Sequence, residues 1–157
     1  MRPDLLIGIG NPLRGDDGVG ALLVEELARQ GSVSCPPGAE FKAVHQLTPE
    51  LAVAVAAAGR VLFVDAWANP DRAEPWIESL LPRQRDGEEP ENGGPGGHGW
   101  GPLALVSLAE LLYGWQGQAA LLRVPAFSFP HGSAFSAPLE QALPMARHLL
   151  HRWLKGG

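Results

Sequence analysis

Two short stretches and one histidine carry side chains whose types and spacing could do chemistry. Asp16 and Asp17 end a glycine-rich run, Gly8-Ile9-Gly10-Asn11-Pro12-Leu13-Arg14-Gly15-Asp16-Asp17-Gly18-Val19-Gly20. Asp65 closes the apolar run Val61-Leu62-Phe63-Val64, and His98 stands in Gly96-Gly97-His98-Gly99-Trp100. Asp17, Asp65 and His98 make a carboxylate, carboxylate, imidazole set, which suits a divalent ion of borderline hardness with coordination positions left open. Each residue also has a plainer role. One aspartate before a helix commonly caps backbone N–H groups, worth about 1 kcal/mol; Asp16 suits that N-cap, leaving Asp17 free. Asp65 alone reads as a strand-end residue bonding a loop, and His98 alone as a solvated loop histidine.

Topology joins the three. Residues 4–9 form a non-alternating apolar run, the pattern of a buried parallel strand. Beyond the glycine turn, Val19, Leu22, Leu23 and Leu27 recur at helical spacing, predicting a helix over about 17–30 that Gly31 stops. Residues 40–44 alternate as a second strand. Thr48-Pro49-Glu50 starts a helix, with Thr48 as N-cap and Pro49 at the first position, running to Gly59. Residues 61–64 are the most apolar strand and end on Asp65, and Trp76–Leu81 reads as a fourth. A loop rich in glycine, proline and acids spans about 83–101 and carries His98. A helix over 102–113, a fifth strand over 119–124 and a last helix from Ser136 to Lys155 complete the chain. In that last helix Leu139, Leu143, Leu150 and Trp153 face inward, and Pro144 is expected to kink it by removing one backbone bond.

Alternating strands and helices imply a five-stranded, mostly parallel sheet with helices on both faces, a three-layer α/β/α sandwich in a single domain over 1–157. Ligands in such sheets bind beyond the carboxyl ends of the strands. Asp17 follows strand one, Asp65 ends strand three and His98 precedes the helix after strand four, so all three are expected at that edge. His131, Trp67, Trp100, Phe127 and Phe129 fall near it too, where core or loop packing accounts for each equally well.

Other chemistries fit poorly. Gly8-x-Gly10 is shared with the dinucleotide fingerprint, but the third glycine is misplaced, and His45 and Gln46 stand where an acid should follow strand two. No Gly-Lys ending marks a phosphate loop, and Asp16 and Asp17 would repel a phosphate from the helix end that normally attracts it. There is no Gly-x-Ser-x-Gly elbow. Cys35 is the sole cysteine and lies beside prolines, which excludes an internal disulfide and makes a catalytic thiol there improbable. The 157 residues carry a net charge of −5 with twelve scattered basic residues, so no stripe invites nucleic acid. The apolar run at the start is too short for a membrane span or a signal core. A cytoplasmic, monomeric protein is expected.

The glycine-rich opening resembles the first motif of the hydrogenase maturation proteases, which trim the C-terminal extension from the large-subunit precursor of nickel–iron hydrogenases. The likeness continues through His45-Gln46-Leu47-Thr48-Pro49-Glu50-Leu51, the Phe-Val-Asp-Ala around Asp65, and His98 with Pro102 and a helix ending Leu-Tyr-Gly. It ends with Val124-Pro125-Ala126-Phe127 and the Phe-Ser-Ala-Pro before the last helix, and so covers nearly all the chain outside about 70–95. The resemblance implies a phosphorylase/hydrolase-like sandwich with one antiparallel strand, for which Trp76–Leu81 is the candidate. It implies metal binding by Asp17, Asp65 and His98, the trio already reached from topology, and a catalytic role for the same three. The nickel would arrive in the precursor, with other divalent ions able to substitute, and the ligands would read whether it has been inserted. Two further functions use the same residues: a non-catalytic nickel-sensing maturation chaperone, and a zinc-type metallohydrolase of small substrates.

Overall fold

The computed structural model describes residues 2–31, 37–68, 70–80 and 100–156. Five strands form one sheet in the order β2-β1-β3-β5-β4: β1 (Asp4–Ile9), β2 (Glu40–Val44), β3 (Arg60–Ala68), β4 (Trp76–Leu80) and β5 (Gln118–Ala126). All neighbours pair in parallel except β4 with β5, where Trp76 stands opposite Arg123. The expected antiparallel strand is therefore β4, and Leu81 lies outside the described residues.

Helices cover both faces, as expected from the alternation. One face of the sheet, with Leu6, Leu62, Val64, Leu122 and Val124, packs against α1 (Val19–Gln30) and α4 (Ala137–Leu154). The other face, with Leu5, Ile7, Phe63 and Leu121, packs against α2 (Ala52–Ala57) and α3 (Pro102–Tyr113). Burial on both faces explains why β1 and β3 read as continuous apolar runs. Each fully buried leucine among them contributes about 1.5–3 kcal/mol relative to exposure.

Several element boundaries differ from the sequence reading. The helix expected from Thr48 begins as a 3-10 turn over Pro49–Leu51, and α2 ends at Ala57. Thr48 makes no side-chain cap to the backbone; it instead bonds the Glu50 carboxyl, which lies below its ordinary pKa mainly for that reason. β3 runs three residues past Asp65, because Trp67 and Ala68 keep pairing with Pro125 and Ala126. Gly114 ends α3 in the left-handed region, φ 66°, where glycine has no steric penalty. Ser136 caps α4, its Oγ accepting from the Leu139 N–H, and the helix runs unbroken through Pro144.

Polar contacts also tie the amino ends of the strands. Arg60 makes a forked pair with Asp4, at 3.0 and 2.6 Å, and its guanidinium lies 4.0 Å over the Trp153 ring. Trp115 Nε1 donates to the Ala58 carbonyl at 2.7 Å just before β3 begins. Asp16 and Asp17 follow the carboxyl end of β1, and Asp65 lies in the carboxyl half of β3. Among the described residues, no helix is long and apolar enough to cross a membrane.

Candidate metal centre

The turn after β1 is bent by its own polar groups. Asn11 Oδ1 accepts from Leu13 N–H at 2.9 Å, its carbonyl from Arg14 N–H at 3.0 Å, and the Arg14 carbonyl from Asp17 N–H at 3.1 Å. Residues 15–18 then form a 3-10 turn leading into α1. Two glycines make the approach possible. Gly10 has φ 145°, and a Cβ there would collide with the backbone of Asp17. Gly20 lies so close to β3 that a Cβ would fall onto the Val64 carbonyl oxygen, and within 2.6 Å of that of Ile9. The start of α1 is thereby pressed against the residue that precedes Asp65.

Asp17 consequently lies near enough to Asp65 for its charge to act on the Asp65 carboxyl. Asp17 is partly buried, and its Oδ2 accepts from Asn11 N–H at 2.9 Å, which closes the turn. Asp65, also partly buried, accepts through Oδ1 from Ala66 N–H at 2.8 Å. Among the described residues no hydrogen bond reaches Asp17 Oδ1 or Asp65 Oδ2, so toward them each carboxylate keeps one oxygen unengaged. Burial pushes the Asp65 carboxyl up to about 7; the Ala66 N–H opposes this, the Asp17 charge adds to it, and Arg123 opposes it. A partly desolvated acid beside a second acid wants a proton or a cation.

Asp16 takes another direction and corrects the capping expectation. The residue before α1 is Gly18, with no side-chain cap, and the 3-10 turn before it is not capped by a side chain either. Asp16 is 0% exposed and reaches across to the segment after β5. Its Oδ2 accepts from Phe127 N–H at 2.8 Å, Ser128 N–H at 3.1 Å and Ser136 Oγ at 2.6 Å, and Oδ1 from Ser136 N–H at 2.8 Å. No local pattern in the sequence announces this role, since the partners lie more than a hundred residues away. Asp17 is likewise not wholly free, as it ties Asn11.

His98 lies outside the described residues, as do the loop expected at about 83–101, apart from its last two residues, and Cys35. Trp100 is described: it bridges to Leu47, beyond the carboxyl end of β2, and is 38% exposed. His131 is exposed in the turn after β5, where the Gly132 N–H donates to the Leu13 carbonyl at 2.7 Å. Trp67 packs on Trp76, with ring centroids 4.7 Å apart, and Phe129 packs against the α1/α4 layer. Phe127 stays 41% exposed. The sequence reading missed a second group: Arg123, beside Asp65 in register, lies 4.0 Å over the Trp67 ring and donates from Nε to Glu78 at 2.7 Å. Among the described residues, no three His, Cys, Asp or Glu side chains gather into a metal cluster.

The fold is that of known maturation proteases. The NiFe hydrogenase maturation protease HycI from Thermococcus kodakarensis KOD1 superposes with a TM-score of 0.70 at 22% identity, over 98% of this chain and 93% of that one. The hydrogenase maturating endopeptidase HybD from E. coli gives 0.66 at 16% identity, over 98% and 93%. The hydrogenase 2 maturation peptidase from Thaumarchaeota archaeon SCGC_AB-539-E09 gives 0.66 at 21%, over 98% of both chains. No protein-family model matches the chain, and no curated protein matches its sequence.

Proposed function

We propose that this chain is a hydrogenase maturation endopeptidase that removes the C-terminal extension of a nickel–iron hydrogenase large-subunit precursor after nickel insertion. The observation that carries the reading is the pair of half-engaged carboxylates, Asp17 and Asp65, brought together at the carboxyl edge of a sheet of this fold. Their unengaged oxygens are hard anionic donors, and His98 would add a nitrogen, a set that fits the nickel of a loaded precursor. The nickel is part of the substrate. A precursor without it brings no cation to the two acids, and its C-terminal segment is not held.

Asp65 sets the protonation side of that encounter. With its pKa near 7, the site without cation holds a proton for part of the time at neutral pH, and an arriving cation must displace it. The neighbouring exposed side chains, Leu13, Phe127 and Trp100, offer apolar surface to an extended segment of precursor. The chain acts as a monomer in the cytoplasm in this reading.

The test mixes purified protein with precursor, with and without nickel, and follows loss of the C-terminal segment. Nickel-loaded precursor is shortened and nickel-free precursor is not; equal cleavage of both would refute the metal reading. Binding without shortening would instead indicate a chaperone, and stoichiometric metal in the freshly purified protein a resident-metal hydrolase. Asp17→Ala, Asp65→Ala and His98→Ala each abolish processing, whereas His131→Ala retains it.

A further inference from the structure

We propose that Asp16 is a positioning residue, locking the turn that bears Asp17 to the segment 127–136 so that both meet the substrate as one rigid unit; this rests on the endopeptidase reading above. Asp16 is the one buried charged side chain among the described residues, at 0% exposure. Four donors converge on its two oxygens: the backbone N–H groups of Phe127, Ser128 and Ser136, and the Ser136 hydroxyl. Its own N–H donates back to the Ser128 carbonyl at 2.9 Å. Gly15 is fitted to the same contact, since a Cβ there would stand 2.6 Å from the Ser128 carbonyl oxygen. Leu13 adds a further stitch through its carbonyl and the Gly132 N–H.

A tie between two loops needs no charge; backbone pairing alone would do, without the desolvation cost of a carboxylate. What the charge adds is direction. Ionised carboxylate is acceptor-only, so it can gather several N–H and O–H donors at one point and leave none of its lone-pair sites facing another acceptor. Asp16 points inward to these donors while the next residue, Asp17, holds Asn11 and keeps an oxygen for the cation. Leu13 and Phe127, 56% and 41% exposed, stand on the two halves that Asp16 joins. Contact of a precursor segment with either half is therefore set in fixed relation to Asp17. A misplacement of about 1 Å at such a site costs about 100-fold in rate.

The experiment compares wild type, Asp16→Asn, Gly15→Ala and Leu150→Ala, the last a core truncation in α4 that destabilises without touching the clamp. Asp16→Asn places an NH2 among N–H donors. We expect kcat for processing to fall about 100-fold with KM within about threefold, and amide exchange to quicken together in 10–17 and 127–136. Gly15→Ala, which wedges the same two segments apart, shows the same pattern at about tenfold and serves if Asp16→Asn does not fold. Leu150→Ala keeps wild-type kcat per folded molecule. Wild-type kcat in folded Asp16→Asn, or in Gly15→Ala, overturns the proposal. If wild type itself cleaves no precursor, the endopeptidase reading fails, and exchange decides the clamp separately: unchanged protection in either segment refutes it.

Discussion

Replacing Asp65 by asparagine should make the metal-free protein more stable at alkaline pH and not at acid pH. The folded protein moves the Asp65 carboxyl from its ordinary 3.8 to about 7, chiefly by burial. The sign follows from proton counting: between those values the folded state holds a proton that the unfolded chain releases, so unfolding is favoured as pH rises. The favourable contribution is complete below about pH 4 and is lost by about pH 7. At about 1.4 kcal/mol per pH unit the whole span corresponds to about 4 kcal/mol, and solvent at the partly exposed carboxyl lowers it to about 2–3 kcal/mol. Asparagine keeps the shape and carries no charge, so the variant lacks this loss. Urea unfolding of both proteins in chelator at pH 5, 6, 7 and 8 measures the difference. The advantage of Asp65→Asn should grow by about 1 kcal/mol per pH unit up to pH 7 and then level off. Added nickel at pH 8 should restore wild type and leave the variant little changed, because only the wild type offers both carboxylates. A stability difference that is flat from pH 5 to pH 8 would refute the buried-acid account.

Two further outcomes test the frame around the site. Gly20→Ala sets a Cβ against the Val64 and Ile9 carbonyls, which are backbone and cannot turn aside; it should cost about 3 kcal/mol or more in chemical denaturation. Trp115→Phe leaves the Ala58 carbonyl without its buried donor at the opposite edge of the sheet. It should lower stability by about 1–2 kcal/mol in the urea midpoint while processing per folded molecule is unchanged.

Much of this architecture was legible in the chain because its main signals are local. The apolar runs of β1 and β3, the helical spacing from Val19 to Leu27, Gly114 after α3 and Ser136 before α4 each state their own element. Once the strands are ordered, the sheet-edge rule puts Asp17 and Asp65 at the same edge, where the Asp17 charge acts on Asp65. What was missed depends on contacts between distant parts. β3 continues past Asp65 only because β5 offers Pro125 and Ala126 as partners. Asp16 looked like a cap because a helix start lay next to it, whereas its donors come from residues 127–136. Likewise, the stack of Arg123 on Trp67 exists only through the β3–β5 register.

The place of β5 inside the sheet, between β3 and β4, bears on how the molecule is made. β5 is the last of the described strands in sequence, yet it sits between β3 and β4 and supplies the nine-residue pairing with β3. Arg60 and Gln118, partners in register, must be brought together across the whole stretch that separates them, and pairing of such distant segments slows folding relative to helical proteins. Synthesis proceeds from the amino end, so β1, β2 and β3 leave the ribosome with one flank of β3 unpaired until β5 follows. The Asp16 donors at Ser128 and Ser136 come later still. A nascent chain therefore lacks a finished acidic centre until residues 127–136 have been made, and whatever that centre does begins only then.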